Sequence, residues 1–291
     1  MLVTIKNEKL SVVVDTLGAQ LMNICSADGT EYLWQGDSTY WPDRSPLLFP
    51  FVARLTNNSY RLNGKVYPME IHGFARKMQF AVLCGDETSA IFVLQSNEES
   101  RQSYPFDFSL SVTYALEGSS VKITYGVENR SETTMPFGIG GHPGFRGPLG
   151  EGENYEDYCL EFSAPCQPDR VGFSRNLYLN GKDALYPLED GKRIPLHHEL
   201  FDADAIVLRN MAKAVTLRSQ ISGKGVTVSY PDMPYVGFWH CPQSDAPYVC
   251  IEPWSTLPSR EGVVEDFAFK SDMIRLAPGG TYENNWTVTI F

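Results

Sequence analysis

A two-residue rhythm of apolar and polar side chains constrains this chain more than any other feature. Phe108-Ser109-Leu110-Ser111-Val112-Thr113-Tyr114 alternates strictly, and Val121-Lys122-Ile123-Thr124-Tyr125-Gly126-Val127 alternates again after Glu117-Gly118-Ser119-Ser120. Successive strand residues point to opposite faces, so each run predicts a strand with one buried face, and the Gly/Ser turn joins the two as a hairpin. Similar short strands are predicted at Leu10–Val14, Ala90–Gln95, Ala214–Leu217, Val226–Tyr230, Tyr248–Ile251 and Thr287–Ile290. Helical spacing is poor throughout, and 19 prolines would interrupt most long helices. Many short strands between turn residues predict an all-β sandwich or barrel. The Gly- and Pro-containing stretch Pro143–Asn154 is expected to be a long loop. No linker, low-complexity tract or charge block divides the chain, so a single domain over residues 1–291 is expected. A chain of 291 residues is long for one domain, yet β-sandwiches reach this size, and it can bury roughly three quarters of its unfolded surface.

The net charge is −11, with the acids scattered along the chain. Such a balance repels phosphate backbones and anionic lipid, so neither nucleic acid nor membrane is an expected partner. The first ten residues, MLVTIKNEKL, carry charges where a signal peptide needs an apolar run. No run of about 18 apolar residues occurs, so no membrane-spanning helix is expected. These points favour a cytoplasmic location. None of the six cysteines forms a C-x-x-C pair. They read as small core residues in a reducing compartment, Cys84 in Ala81-Val82-Leu83-Cys84 among them.

Candidate chemistry lies in three segments that set a polar residue among Gly, Pro and aromatics: Ile71-His72-Gly73-Phe74-Ala75-Arg76, Gly140-Gly141-His142-Pro143-Gly144-Phe145 and Ile251-Glu252-Pro253-Trp254. Glycines before His142 allow the backbone close to a ligand, and its imidazole titrates near neutrality. A loop histidine bonded to backbone is the structural alternative. Glu252 follows the apolar run Tyr-Val-Cys-Ile and precedes an indole. A partly apolar setting would raise its pKa and strengthen it as a base. An ion pair with Arg54 or Arg260 is the alternative. Arg54 ends an apolar run and can bind hydroxyl oxygens through its fork of donors. His72 is either part of the site or a turn residue before Gly73. Asp202 and Asp204 share one face if Leu200–Val207 is a strand, although a turn explains at least one of them. Trp34, Trp41, Phe74, Phe145, Trp239 and Trp254 can stack on a ring or serve as core. His240 is expected to pack inside the fold, and His197 and His198 to be exposed. No H-E-x-x-H, P-loop, G-x-S-x-G or dinucleotide fingerprint is present, so no metal or nucleotide cofactor is indicated.

Taken together, the ordered set resembles the aldose 1-epimerase (galactose mutarotase) family over nearly the whole chain. Arg54 through Lys65, leading to His72-Gly73, is similar to the family's run into its first active-site histidine. Gly141-His142-Pro143-Gly144-Phe145 resembles the second histidine segment of the shorter bacterial branch. Ile251-Glu252-Pro253-Trp254 resembles the catalytic glutamate segment, and Leu200–Ala205 the segment giving a substrate-binding aspartate, here assigned to Asp204. The resemblance implies a large antiparallel β-sandwich, or supersandwich, with a small-molecule sugar in an open cleft and no cofactor. A homodimer stays open. It implies interconversion of anomers with His142 as acid and Glu252 as base, and with Arg54, His72, Asp204, Phe145 and Trp254 around the sugar. The flanks differ from the galactose branch, which has Asn before the second histidine and Thr-Gln after the glutamate. The likeness therefore reaches the acid and base but not galactose as substrate.

Such chemistry needs Glu252 ionised and His142 protonated, and a nearby carboxylate is expected to raise the histidine pKa. Two other readings keep the scaffold. A hexose-6-phosphate 1-epimerase would need cations at the cleft rim, for which Arg76, Lys77 and Arg146 are candidates. A non-catalytic sugar-binding protein would lack the acid or the base. A metal-dependent cupin-like enzyme fits less well, because His72 and His142 lie far apart in sequence and no His-x-His cluster exists.

Overall fold

A computed structural model describes residues Met1–Phe291. Two large antiparallel sheets build the molecule. The first has nine strands, in the order Arg193–Pro195, Tyr158–Phe162, Ala214–Ser219, Gly225–Ser229, Thr281–Ile290, Ser120–Asn129, Phe108–Glu117, Ser89–Gln95 and Ala81–Gly85. The second has eight. Ala184–Leu185, Asp169–Arg170, Ile206–Arg209, Tyr235–Trp239, Tyr248–Trp254, Gly140–Gly141 and Leu47–Leu48 follow one another, and Gly144–Arg146 pairs alongside Tyr248–Trp254. A three-stranded sheet over residues 2–26 and two two-stranded ribbons complete the strands. The one α-helix is short, Glu98–Ser103, and is capped by the Asn97 side chain accepting from the Ser100 N–H. No helix is long and apolar enough to cross a membrane.

The alternating runs occupy the nine-stranded sheet. Ser120–Asn129 pairs with Phe108–Glu117 through a tight turn, Ser120 opposite Glu117. Val121, Ile123, Tyr125 and Val127 turn inward, while the residues between them are only half-buried. The eight-stranded sheet sends Ile206, Leu208, Val236, Phe238, Val249 and Ile251 into the same core from the other side. Its opposite face carries Val207, Trp239, Glu252 and Trp254, which line a cavity. The layers therefore run from solvent through the nine-stranded sheet, the shared core and the eight-stranded sheet to a cleft.

Three expectations need correction. Pro143–Asn154 is not all loop, since Gly144–Arg146 pairs with Tyr248–Cys250. Leu200–Val207 is not one strand: His198–Phe201 is a 3₁₀ turn, Asp204 has φ 80°, and the strand starts at Ile206. Cys84 is exposed on the edge strand Ala81–Gly85, whereas Cys159 and Cys250 are buried.

Candidate active site

The cavity on the outer face of the eight-stranded sheet holds about 300 Å³, at the lower end of the usual range for small-molecule sites. Glu252 sits on its floor in the interior of the strand Tyr248–Trp254, not at its end, and is 1% exposed. Residues two apart share a face of a strand, so Cys250, Glu252 and Trp254 turn away from the main core, Glu252 and Trp254 lining the cavity and Cys250 packing with Trp34 and Tyr248, while Val249 and Ile251 turn to the core. Neither arginine proposed as an ion-pair partner for Glu252 takes that place. Arg260 forms a forked pair with Glu265, at 2.9 and 3.0 Å. Arg54 lines the cavity without an ion pair.

His142 lies between the short strands Gly140–Gly141 and Gly144–Arg146. Its N–H donates to the Pro46 carbonyl at 3.2 Å, which fixes the loop against the neighbouring segment. The imidazole is sandwiched by rings: Trp41 at 4.8 Å and 31°, Trp239 at 5.7 Å and 80°, His72 at 5.4 Å and 84°. Its Nε2 lies 3.3 Å from Glu252 Oε2.

Burial sets the protonation of this pair. Desolvation pushes the Glu252 carboxyl well above the ordinary range, and the negative charge of Asp204 adds to that, against the hydrogen bond from Trp254. Desolvation likewise holds His142 down at about 3. This corrects the expectation of an ionised glutamate raising a protonated histidine. Burial drives both groups toward neutrality, so the pair carries one proton over a wide span of pH. The charged and neutral forms of the pair then differ only by where protons sit, not by how many there are.

His72 owes its pose to the backbone. Its N–H donates to the Ala53 carbonyl at 3.0 Å, and the Ala53 N–H donates back to His72 Nδ1 at 3.2 Å. Nδ1 therefore bears no hydrogen in that bond, and Nε2 is the donor. Burial and the positive charges around it keep this ring neutral. His72 is thus a fixed N–H donor rather than an acid. Both His72 (φ 66°) and Gly73 (φ 72°) are left-handed, and a Cβ on Gly73 would meet the Phe49 carbonyl oxygen at 2.2 Å. Only glycine fits there.

Asp204 lines the cavity, with Oδ1 accepting from the Ala205 N–H at 2.7 Å, whereas Asp202 faces a neighbouring groove. Trp254 lines the cavity, but its Nε1–H donates to Glu252 Oε2 at 3.2 Å. Phe145 is displaced from the expected set. It pairs with Val249 in the sheet, is fully buried and belongs to the main core. Of the three rim cations considered, Arg76 alone lines the cavity, and its Nη1 is held by Asp43 Oδ2 at 3.2 Å. Lys77 pairs with Glu70 outside it, and Arg146 points elsewhere. His240 is buried and takes a contact from His198 at 3.3 Å, so His198 is not the exposed residue expected. Asp43, Phe173 and Leu177 also line the cavity, outside the set expected from sequence. Trp41-Pro42-Asp43 has the same polar-among-aromatics character as the other segments, which is a signal in the sequence. Phe173 and Leu177 belong to a stretch without periodicity. For a metal, His142, Cys250 and Glu252 each offer one ligand atom, all within 4.8 Å of one another. An ion there would engage both His142 and Glu252.

The model of the family described as aldose 1-epimerase matches residues 1–289. Protein LacX (chromosomal) of Lactococcus lactis subsp. lactis is 38% identical across 100% of this chain and 99% of its own length. The crystal structure of a galactose mutarotase related enzyme from Lactobacillus acidophilus superposes with a TM-score of 0.95 at 34% identity, covering 100% of this chain and 97% of that one. A galactose mutarotase-like protein from Lactobacillus casei gives 0.93 at 31% identity, covering 100% of both chains.

Proposed function

The chain belongs to the aldose 1-epimerase family, and from that premise we propose that it interconverts the α and β anomers of a free aldose, acting as one unit over residues 1–291. One observation carries the reading. A buried carboxyl and a buried imidazole, 3.3 Å apart, meet at the floor of a cleft of sugar-compatible size.

An anomer cannot invert directly. The ring opens to the aldehyde, C1–C2 rotates, and the ring closes on the other face. Opening removes the proton of the C1 hydroxyl and delivers one to the ring oxygen. In the charged form of the pair, Glu252 accepts the first and His142 Nε2 supplies the second. The open-chain aldehyde then faces the neutral form, and closure reverses both transfers. Burial favours that neutral form, which lowers the energy of the open-chain complex relative to a pair locked as ions. The closed-ring complex needs the opposite bias, and the charged and polar groups around the sugar oxygens supply it. His72 Nε2–H and the Arg54 fork are the donors, and Asp204 is the acceptor for ring hydroxyls. Holding C1–OH and the ring oxygen, which are bonded to one carbon, against two fixed groups supplies the orientation term.

The cleft's charges support an uncharged sugar over a phosphorylated one. Three carboxylic residues, Asp43, Asp204 and Glu252, face two arginines, Arg54 and Arg76, and Arg76 is already paired. Polarimetry of freshly dissolved α-glucose, α-galactose and α-glucose 6-phosphate tests the reading. Rotation of at least one neutral sugar relaxes faster with enzyme than without it. Preference for the phosphate ester would move the assignment to hexose 6-phosphates. Saturable binding with no acceleration for any sugar would leave a carbohydrate-binding protein and overturn the proposal.

A further inference from the structure

The indole of Trp254 is placed to do more than wall the cleft. Trp254 and Glu252 lie two apart on the same face of one strand, and the Trp254 Nε1–H donates to Glu252 Oε2 at 3.2 Å. That oxygen is the same one that faces His142 Nε2 at 3.3 Å. The indole N–H therefore fixes which oxygen works and where it points. Both residues are almost wholly buried, with 1% and 4% exposure, so water offers this oxygen little competition.

The two flanking strands leave room for this arrangement. Gly237 stands opposite Glu252, and a Cβ there would sit 3.3 Å from Trp254 Cζ2 and 3.4 Å from Glu252 Cβ. Gly140 stands opposite Trp254 on the other side, and a Cβ there would come within 2.8 Å of the Pro253 carbonyl oxygen and 3.2 Å of Trp254 Cδ1. Neither glycine has a positive φ. Their role at these points is space rather than backbone freedom. Two glycines from two strands clear the volume that lets an indole lie against the carboxyl.

We propose that Trp254 is the positioning residue of the base, its indole N–H holding Glu252 Oε2 toward His142 within a space kept clear by Gly237 and Gly140. This rests on the acid–base reading of Glu252. The bond is made to the ionised carboxylate more strongly than to the neutral acid. It therefore works against burial and keeps the charged form of the pair within reach.

Trp254→Phe keeps a ring and removes the N–H. Its kcat for mutarotation is expected to fall about tenfold or more, the usual weight of a hydrogen bond to a charged group, with KM within about twofold. The alkaline limb of the rate profile is expected to move up by about one pH unit, because the carboxylate has lost a bond that favoured it. An unchanged kcat overturns the proposal, and so does a fall in kcat with no movement of the limb, which would mean that the indole only packs. If Trp254→Phe does not fold, Gly237→Ala is measured the same way, since its methyl would crowd the Trp254 ring at 3.3 Å. The ¹⁵N-indole resonance of Trp254 gives a readout without turnover. It is expected to titrate in wild type and to stop titrating in Glu252→Gln. A flat titration overturns the proposal. Titration in a protein that turns over no sugar would sink the mutarotase reading alone.

Discussion

Ser120–Asn129 and Tyr248–Trp254 are both strands between two neighbours in large antiparallel sheets, yet they spend their residues differently. The first alternates half-buried and buried positions along its length. The second is buried at every position. Ser120–Asn129 has water on one face, so its polar residues Lys122, Thr124 and Glu128 are solvated and carry no chemistry. Tyr248–Trp254 has the main core on one face and the cleft on the other. That second face carries a thiol, a carboxyl and an indole in succession, the last two lining the cleft, in a setting where a polar group is expensive unless partnered. The scaffold strand uses alternation to separate water from core, and the site strand uses it to separate core from chemistry.

That contrast predicts which changes damage what. The largest effect belongs to the cleft side. His142→Asn is expected to lower kcat by about 10²–10⁴-fold, with the thermal midpoint shifted by only a few degrees. Combined with Glu252→Gln, it is expected to lose little more than either single change, because the two groups act as one unit. Single-turnover rates on the three variants check this, and multiplicative losses would separate the pair into independent contributors. On the scaffold strand the pattern inverts. Ile123→Ala removes a fully buried side chain and is expected to cost about 2–5 kcal/mol of stability, with kcat per folded molecule unchanged. Denaturant melts with active-site titration decide it, and a matching loss of kcat would show that the two sheets are not separable.

A third effect concerns pH. With His142 held near 3 and Glu252 pushed up by burial, the pair keeps one proton from about pH 3 up to the raised carboxyl value. The rate is therefore expected to hold level as pH falls from 7 through 5, where an ordinary histidine would gain a proton and an ordinary glutamate would stay ionised. Initial rates between pH 4 and 9 show it, after correction for the spontaneous reaction. A midpoint near 6.5 would mean that solvent reaches His142. The smallest effect is on the wet face of the scaffold: Thr124→Ala is expected to change stability by less than about 0.5 kcal/mol and kcat not at all.

The same contrast explains what was legible beforehand. The hairpin of residues 108–127 could be read because water on one face writes an alternating pattern. Gly144–Arg146 could not, since Gly-Phe-Arg has no pattern and becomes a strand through pairing with Tyr248–Cys250. In sequence, Glu252 stands just past the apolar run Tyr248–Ile251, which reads as the end of a strand. Pairing nonetheless continues past it, through Val236 opposite Pro253 and Gly140 opposite Trp254. Arg54, His72, His142, Asp204 and Glu252 were picked out by their neighbours and order, and the fold brings all five to one cavity. Phe145 belongs to the segment that resembles the family's second histidine run, but three residues along a bent backbone reverse the facing, and its partner Val249 points to the core. The protonation of the pair is hidden from the sequence for a related reason. A sequence shows that a carboxyl and an imidazole can meet, but not that both will be stripped of water when they do.

Glu252→Gln tests the central claim most directly, because it keeps the shape of the side chain and removes only its ability to take a proton. Folded wild type and variant, at equal concentration, are followed by optical rotation on a freshly dissolved α-aldose that wild type turns over. The account predicts that the variant relaxes close to the spontaneous rate while still binding the sugar. Relaxation at the wild-type rate would contradict it.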